Sequence, residues 1–286
     1  MLLITGSTGK LGHAIVKQIQ KKIGTKEVVL MTTDLTKAQR YIQDGFEVRQ
    51  GNFDDPDSLT KAFEGIDKLL IISTMSQDRF FQQKTAIDVA KKMGVAHVIY
   101  TSLAIQDIET SHVKPIMESH FFTEQYLMES GLVYTILRNT MYADAILDIV
   151  GDITQLETLS LPGGNGRVPY ALRQEMGEGI ANLLVENSHA NKLYNIVGDN
   201  LYSYYDIAKL LGEIRQTTIN YQDISMDIYM NQLKIKGIPS FMIDFTTNTV
   251  LDIRDKQYEI EDKTLSSLLG RPTKDLLQLL TTLMTV

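Results

Sequence analysis

Short apolar runs alternate with longer amphipathic stretches through the first half of the chain. The runs are rich in Ile, Val and Leu, which suits strands of a parallel sheet that are buried on both faces. They span 2–5, 27–31, 46–48, 68–72, 97–102 and 132–137, and the run at 46–48 is the weakest. The stretches at 10–22, 37–43, 58–63, 80–92 and 118–129 have the apolar spacing of helices. This alternation predicts an α/β fold, a Rossmann-type doubly wound parallel sheet.

Turn-forming residues separate these elements. Gly45, Gly65, Gly94 and Gly131 each stand between a helical stretch and the next strand, where left-handed backbone is often required. The segment Asp54-Asp55-Pro56-Asp57 precedes the third helix, and its carboxylates can accept hydrogen bonds from free backbone N–H groups. These residues locate the ends of the predicted helices.

After about residue 140 the alternation weakens. Residues 161–166 predict a flexible loop, 168–170 a short extended segment and 176–185 a helix. The apolar run at 193–197 predicts a strand that returns to the sheet. We therefore predict a Rossmann domain over 1–140 that includes the strand near 193–197. A smaller, mostly helical lobe over 141–286 follows, with a soft boundary between the two.

Composition excludes several classes of function. The 286 residues carry a net charge of −7, so no nucleic-acid partner is expected. The chain has no cysteine and five histidines, none in the spacing of a ligand pair, so no metal site is expected. The purely apolar runs of the first half, such as 69–72, reach four residues, far fewer than the roughly 20 that span a bilayer. With no signal-peptide pattern at the start, we expect a cytoplasmic protein without a membrane partner.

Three glycines follow the first strand in the segment Gly6-Ser7-Thr8-Gly9-Lys10-Leu11-Gly12, which opens the first helix. The first glycine permits a tight turn, the second lets the backbone approach a pyrophosphate, and the third lets the helix pack closely on the strand. We predict that these seven residues bind the pyrophosphate of an NAD(P) dinucleotide. A glycine turn without a ligand is the alternative, and the position between a strand and a helix disfavours it.

The second predicted strand ends in Met31-Thr32-Thr33-Asp34, and two interpretations of Asp34 remain open. A carboxylate at this position can accept hydrogen bonds from both ribose hydroxyls, which favours NAD over NADP. The same carboxylate can instead cap the helix that follows.

Six motifs distributed over nearly the whole chain carry a resemblance to a known family. They are Ile4 to Gly12, Lys37-Ala38-Gln39, Val48 to Phe53, Tyr100-Thr101-Ser102-Leu103, Val133 to Asn139 and Leu193 to Asp199. On these motifs the chain resembles the NmrA-like group of atypical short-chain dehydrogenases/reductases. Within that group it is similar to bacterial NADPH:quinone oxidoreductases that work without flavin.

The resemblance implies NADP as the cofactor, without flavin or metal. NAD is not excluded, because Thr33 stands where the NADPH enzymes of the family commonly have an arginine. Beyond the glycine turn, Thr33 and Asp34 at the end of the second strand are predicted cofactor contacts, and the resemblance implies Asn52, Phe53, Ser73, Thr74, Ser102, Arg138 and Asn139 as further ones. The implied substrate contacts are Met75, Asn139, Tyr142, Arg167 and Tyr170.

Typical short-chain dehydrogenases protonate their substrate with the tyrosine of a Tyr-x-x-x-Lys motif. The corresponding segment here, 118–124, contains neither residue in register. His120 lies in this segment and is the candidate catalytic residue, either as a proton donor or as a hydrogen-bond donor to the substrate oxygen. A purely structural histidine is the alternative. Quinone reduction tolerates a missing acid, because the hydroquinone anion is a weak base that water can protonate.

The resemblance thus implies an NAD(P)H-dependent reductase that transfers hydride to a quinone or a similar conjugated electrophile without flavin. An alternative from a different class is an NmrA-like redox sensor, which binds the dinucleotide and regulates a partner with little turnover. A sugar-nucleotide epimerase or dehydratase ranks last, because it needs a tyrosine acid–base. A small-molecule substrate is the expected partner, and a homodimer is a candidate assembly that the sequence does not decide.

One Tyr-x-x-x-Lys motif does occur, from Tyr205 to Lys209, in the helix that follows the returning strand. We interpret this helix as a packing element. The Tyr205→Phe variant is therefore expected to keep near-normal activity, measured as steady-state NADPH oxidation with a quinone. A fall in kcat of about 10²-fold, typical of the loss of a general acid, would contradict this interpretation.

Overall fold

The computed structural model describes residues 1–284 of the chain. Its strands are β1 (Leu2–Ile4), β2 (Val28–Thr32), β3 (Glu47–Gln50), β4 (Lys68–Ile71), β5 (His97–Leu103), β6 (Val133–Asn139), β7 (Thr158–Ser160), β8 (Arg167–Val168), β9 (Lys192–Ile196), β10 (Tyr202–Ser203) and β11 (Asn220–Gln222). Its α-helices are α1 (Lys10–Ile23), α2 (Gln39–Gln43), α3 (Pro56–Ala62), α4 (Arg79–Lys92), α5 (Lys114–Glu129), α6 (Ala145–Val150), α7 (Arg173–Val185), α8 (Tyr204–Arg215), α9 (Met226–Ile235), α10 (Ser240–Arg254), α11 (Thr264–Leu269) and α12 (Leu276–Met284). Short 3₁₀ turns cover Leu35–Ala38 and Ile108–Thr110.

Seven strands form one sheet in the order β3-β2-β1-β4-β5-β6-β9. The pairs β1–β2, β2–β3, β1–β4, β4–β5 and β5–β6 are parallel. The chain runs outward from β1 to β3 and then returns to place β4 on the other side of β1. In open α/β sheets such a reversal creates a crevice at the carboxyl ends of the strands, where ligands bind. The predicted fold class and the strand that returns to the sheet are confirmed.

The centre of this sheet is buried on both faces. All residues of β1 and β2 are buried, and Leu3, Leu69 and Val98 have no exposed surface. These three side chains belong to one apolar cluster with Leu59 and Phe63, which lie at α3 and its carboxyl end. Burying an apolar side chain of this size contributes about 1.5–3 kcal/mol, so the cluster holds the strand ends in place.

The predicted helix ends agree with the structure. Gly45, Gly65, Gly94 and Gly131 have φ angles of +87°, +70°, +75° and +80°, in the left-handed region that favours glycine. Asp55 caps α3 by accepting hydrogen bonds from the backbone N–H groups of residues 57 and 58. Both features follow from local backbone requirements that a sequence pattern can reveal.

Some elements differ from the sequence prediction. Helix α5 begins at Lys114 rather than near 118, because a proline such as Pro115 is tolerated in the first turn, where the backbone N–H has no helical partner. The stretch at 37–43 divides into the 3₁₀ turn Leu35–Ala38 and α2. Strands β7 and β11 were not predicted. They are three residues long and pair with each other, so their formation depends on a long-range contact.

The described chain divides into two compact units. The first comprises Met1–Leu103, Ser119–Asn139 and Arg173–Tyr194. The second comprises Ala104–Glu118, Thr140–Leu172 and the described residues from Asn195 onward. The sequence predicted a single boundary near residue 140, whereas α7 belongs to the first unit. The physical reason is a close approach between α7 and α1.

Residues 1–284 lack two kinds of feature, a metal-binding cluster and a membrane-spanning helix. No three His, Asp or Glu side chains among them are placed to hold a metal ion together. No helix in that range combines the length and the apolarity needed to cross a bilayer. The cytoplasmic location stays a prediction.

The packing of α7 on α1 depends on Gly177. A Cβ built on Gly177 would lie 2.7 Å from the Ala14 Cβ and 2.7 Å from its carbonyl carbon. The Gly177→Ala variant is therefore expected to force the helices apart and to lower the free energy of unfolding by about 1–3 kcal/mol, measured by urea denaturation. The double variant with Ala14→Gly removes one of the clashing atoms and is expected to recover part of that loss. Equal stability of wild type and Gly177→Ala would contradict this packing argument.

Candidate functional site

The glycine turn between β1 and α1 is built by two structural glycines. Gly6 has a φ angle of +58°, which reverses the chain after β1. A Cβ on Gly12 would lie 2.2 Å from the Gly6 carbonyl oxygen and 2.8 Å from the Ser7 Cα. Any larger side chain at residue 12 would therefore push α1 away from the strand. The predicted roles of the first and third glycines match this geometry.

Gly9 stands in a different environment. A Cβ built there would have one neighbour within 4 Å among the described residues, the Gly6 oxygen at 3.3 Å. Gly9 is the N-cap of α1, where no side chain accepts a hydrogen bond from the helix and no acidic residue occupies the first turn. The helix therefore presents N–H groups and the positive end of its dipole to the crevice. These features fit the pyrophosphate of a dinucleotide, which requires close backbone approach and N–H donors.

Side chains behind the turn hold it in shape. The Ser7 hydroxyl, which is fully buried, donates to the Met31 carbonyl oxygen at 3.1 Å. The Tyr41 hydroxyl donates to the Ser7 carbonyl oxygen at 3.1 Å and lies 2.8 Å from His13 Nδ1. Because the tyrosine has one hydrogen, His13 is the donor in the second contact. The Ser7 side chain thus points into the protein, so a role in ligand binding falls to its backbone.

A cleft of about 360 Å³ opens at the carboxyl ends of β1 to β4. It is lined by Gly6, Thr8, Met31, Thr32, Thr33, Gly51, Asn52, Phe53, Ile72, Thr74, Met75, Ser76 and Gln82. Its volume lies within the range usual for small-molecule sites, about 300–1,000 Å³. The cleft brings together Gly6, Thr8, Thr33, Asn52, Phe53 and Thr74 from the predicted cofactor contacts, and Met75 from the predicted substrate contacts.

The prediction missed several lining residues. Met31, Thr32, Gly51, Ile72 and Ser76 are neighbours of predicted residues at strand ends, and that adjacency was a usable signal. Gln82 carried no such signal, because it lies in α4. Its amide nitrogen donates to both Asp54 carboxylate oxygens at 3.0 Å, and its amide oxygen accepts from the Thr74 hydroxyl at 3.2 Å. Gln82 therefore ties the loop after β3 to the loop after β4.

Asp34 caps the 3₁₀ turn after β2. Its Oδ1 accepts hydrogen bonds from the Thr36 backbone N–H at 2.9 Å and from the Thr36 hydroxyl at 2.6 Å. These bonds, assisted by the charge of Lys37, lower the pKa of Asp34 below its usual value. Of the two interpretations left open by the sequence, the cap is observed, and the ribose contact stays a prediction.

The ends of β5 and β6 carry a buried ion pair. The Glu124 side chain in α5 is 3% exposed and accepts hydrogen bonds from Arg138 Nε at 2.9 Å and Nη2 at 2.6 Å. The Ser102 hydroxyl donates to Glu124 Oε1 at 2.5 Å, and the Arg138 guanidinium lies 5.0 Å from the centre of the Phe121 ring. The charge of Arg138 is thus compensated within the protein, and its contact with a cofactor stays a prediction.

Asn139 and Ser73 complete the predicted cofactor contacts. Asn139 is 4% exposed, and its Oδ1 is fully enclosed with no hydrogen-bond partner among the described residues. A buried amide oxygen without a partner costs free energy, so it is suited to a ligand that donates an N–H or O–H. The Ser73 backbone N–H donates to the Thr101 hydroxyl at 3.0 Å, which fixes the loop after β4 beside β5.

His120 is buried in the first unit. Its ring is 6% exposed, and Nδ1 lies 2.8 Å from the Tyr100 hydroxyl. Burial, followed by the positive charge of Arg79, lowers the pKa of His120 to about 3. The ring is therefore neutral near pH 7 and cannot deliver a proton as an imidazolium. The catalytic role of His120 stays a prediction, with the hydrogen-bond donor as the form that this environment permits.

Three predicted substrate contacts lie in the second unit. Tyr142 forms a β-bridge with Ala171. Arg167 pairs with Glu259 at 3.1 Å, and the hydrogen bond and the carboxylate charge raise the pKa of Arg167. Tyr170 is 1% exposed, and burial raises its pKa. Contact of these residues with a substrate stays a prediction.

The model of the NmrA-like family matches residues 1–270 of the chain. The chain therefore belongs to the NmrA-like family. Quinone oxidoreductase 2 of Escherichia coli K12 is 31% identical over 96% of this chain and 96% of its own. The crystal structure of the E. coli NADPH-dependent quinone oxidoreductase with NADPH superposes with a TM-score of 0.92, covering 99% of this chain and 100% of that one at 31% identity. Triphenylmethane reductase of Citrobacter sp. with NADP(H) gives a TM-score of 0.90 at 26% identity, covering 99% of both chains. The resemblance inferred from the motifs is confirmed.

The pair of Glu124 and Arg138 yields a stability prediction. Removing the guanidinium in Arg138→Leu leaves the enclosed Glu124 carboxylate without its cation. Because Arg138 keeps 26% of its surface exposed, we expect a loss near the lower end for buried pairs, about 3 kcal/mol in the free energy of unfolding. Urea denaturation measures this loss. The control Arg40→Ala breaks a contact of 3.9 Å to Asp44 on the surface and should cost under about 1 kcal/mol. Similar losses in the two variants would contradict the proposed burial of charge.

Proposed function

We propose that this protein is an NAD(P)H-dependent reductase that transfers hydride to a quinone or a similar conjugated electrophile without flavin. The observation that carries the proposal is the glycine turn, which presents the uncapped start of α1 at the point where the strand order reverses. Membership of the NmrA-like family supports it, as do relatives named as NADPH-dependent quinone and triphenylmethane reductases. When bound, the dinucleotide supplies the hydride.

The chain's own residues provide a place for each part of that cofactor. The glycine turn, including Lys10 and Leu11, would hold the pyrophosphate through backbone N–H groups. Asn52 and Phe53 line the cleft and would flank the adenine, and Thr74 lines the wall formed by the loop after β4. At the other end, the enclosed Asn139 Oδ1 would accept a hydrogen bond from the ligand. Ser73, Ser102 and Arg138 would position the groups around it.

NADP is the proposed form of the cofactor. Two relatives are described as complexes with NADPH or NADP(H). In this chain Oδ1 of Asp34 is engaged by Thr36, which weakens the case for a carboxylate that accepts from both ribose hydroxyls. NAD is the alternative, and the difference is measurable as the ratio of the two affinities.

The class of compound that accepts the hydride is inferred from which groups of the site can donate a proton. His120 is held neutral, and the segment around it has no Tyr-x-x-x-Lys motif. A simple ketone would require a proton donor strong enough for an alkoxide. A quinone gives a hydroquinone anion that water can protonate, so the protein needs to orient the acceptor and supply hydrogen bonds. Met75 at the cleft is a proposed contact for such a substrate, together with Asn139, Tyr142, Arg167 and Tyr170.

The function is tested by titrating NADPH and NADH separately, each with and without a simple benzoquinone and without added flavin. We expect loss of reduced-cofactor absorbance that depends on the quinone, with the lower KM for NADPH. Strict dependence on added FMN would contradict the proposal. Tight binding of the dinucleotide without turnover of any quinone in a panel would identify a redox sensor instead.

Gly9→Val tests the cofactor site directly. The branched side chain would occupy the space that the pyrophosphate needs, so we expect the Kd for NADPH to rise by about 10²-fold or more. The fold should persist, because a Cβ on Gly9 would have one neighbour within 4 Å among the described residues, the Gly6 oxygen at 3.3 Å. Calorimetric titration measures Kd, and circular dichroism checks the fold.

Gly24→Ala is the matched control for Gly9→Val. It alters the other end of the same helix, where a Cβ would meet no atom within 4 Å, although a φ of +72° with a ψ of −167° is a backbone conformation that favours glycine and makes the change destabilising. Its NADPH affinity should equal that of wild type. Unchanged affinity in Gly9→Val would overturn the assignment of the site.

A further inference from the structure

Four buried polar side chains meet between β5, α4 and α5. Gln83, Tyr100 and Thr123 have no exposed surface, and His120 is 6% exposed. The Tyr100 hydroxyl lies 2.9 Å from Gln83 Oε1 and 2.8 Å from His120 Nδ1. The Thr123 hydroxyl lies 2.9 Å from Gln83 Oε1 and 2.8 Å from the Ser119 carbonyl oxygen. We call these four residues the Gln83 cluster.

Counting hydrogens in the Gln83 cluster determines which group donates in each contact. Thr123 has one hydroxyl hydrogen, yet it faces two oxygen acceptors, and the Ser119 carbonyl cannot donate. At the same time the Gln83 amide nitrogen is fully enclosed without a partner among the described residues. The oxygen and nitrogen of a glutamine amide occupy equivalent positions, so their orientation follows from the hydrogen-bond network.

Flipping the Gln83 side-chain amide by 180°, which exchanges its oxygen and nitrogen, satisfies all four contacts. The NH₂ group then donates to both the Tyr100 and the Thr123 hydroxyl oxygens, and Thr123 donates to the Ser119 carbonyl. The group left without a partner becomes a carbonyl oxygen, which is tolerated in protein interiors more often than an orphaned N–H. In this arrangement the Tyr100 hydrogen is directed to His120 Nδ1.

A neutral imidazole that accepts at Nδ1 carries its hydrogen on Nε2. His120 Nε2 has no hydrogen-bond partner among the described residues, and it is not one of the fully enclosed unpartnered atoms. It therefore keeps some accessible surface, in agreement with the 6% exposure of the residue. Burial, and after it the positive charge of Arg79, lowers the pKa of His120, so protonation of the ring is disfavoured.

Arg79 connects the Gln83 cluster to the cleft wall. Its Nη1 donates to the hydroxyl of Ser119, the residue before His120, at 2.8 Å. Its Nε donates to the Thr74 carbonyl oxygen at 2.5 Å, and Nη2 lies 3.7 Å from the Met75 sulfur. Thr74 and Met75 line the cleft. Ser119 is thus tied through Arg79 to the loop that borders the site.

We infer that Gln83 and Tyr100 hold His120 in its Nε2–H tautomer, so that His120 donates a neutral hydrogen bond to the acceptor's carbonyl oxygen. This inference rests on the proposed function for the identity of the acceptor. His120 would be the catalytic residue, and Gln83 and Tyr100 would be positioning residues. A neutral donor stabilises negative charge that develops on the oxygen without giving up its proton. Water then protonates the hydroquinone anion.

Nitrogen NMR tests the tautomer without cofactor or turnover. In the full chain labelled with ¹⁵N, the His120 signals are assigned by their loss in His120→Gln. We expect a protonated Nε2 and an unprotonated Nδ1 throughout pH 5–8. In Tyr100→Phe, which removes the donor to Nδ1, we expect the preference for Nε2–H to be lost. An Nδ1–H tautomer or an imidazolium in the wild type over this pH range would overturn the inference.

Kinetics test the hydrogen bond to substrate. His120→Phe should lower kcat with benzoquinone on the order of 10- to 100-fold, with an unchanged Kd for NADPH. His120→Gln, whose amide N–H can lie near the former Nε2, should restore part of kcat. His112→Gln, a histidine paired with Asp255 in the second unit, is the control and should behave as wild type. The wild-type kcat should show no inflection between pH 5 and 8.

Two kinetic outcomes would overturn the donor role. One is an unchanged kcat in His120→Phe, and the other is a fall in wild-type kcat as pH rises through 6–7, which would indicate an imidazolium acid. If no acceptor is reduced by wild type, the proposed function fails and the donor role fails with it. The NMR result still decides the tautomer in that case, so the two failures are distinguishable.

Discussion

The close approach of α1 to the end of β1 is the constraint on which the site depends. The Gly6 carbonyl oxygen and the Gly12 Cα are so near that a Cβ on residue 12 would lie 2.2 Å from that oxygen. Because the helix starts directly behind the strand, its free N–H groups face the crevice created by the reversal of strand order. A side chain on residue 12 would therefore displace the helix and move these N–H groups relative to the crevice.

The polar groups near β5 and β6 are either paired with an opposite charge or uncharged. Glu124 accepts from Arg138 and Ser102 in the protein interior, so neither charge is available to a ligand as a free ion. His120 is kept uncharged by burial and by Arg79. These groups can therefore form hydrogen bonds of defined direction with a ligand. One of them is the Asn139 Oδ1, which has no partner among the described residues. Such an environment suits an acceptor whose reduced form is a weak base.

Particular residues show how far sequence reasoning reached. The glycine turn, the strand ends and seven of the cleft-lining residues were predicted, because strand periodicity locates the carboxyl ends where ligands bind. The sequence left two roles open for Asp34, because a helix cap and a ribose contact require the same residue type at the same position. Gln82 was missed because a glutamine in α4 has no pattern that connects it to loops after β3 and β4. Contact of the predicted residues with cofactor stays a prediction.

Local rules were sufficient for the sheet, the glycine turn and the helix caps, because each depends on periodicity or on backbone conformation within a few residues. The partner of a buried polar side chain is a different kind of property. Ser7 faces inward to Met31, Arg138 is paired with Glu124, and the state of His120 depends on Gln83 and Tyr100. These residues are far apart in the chain and meet when the strands and helices pack. The direction of these hydrogen bonds and the protonation of these side chains are therefore determined by the tertiary structure, because burial and neighbouring charges exist only after the chain has packed.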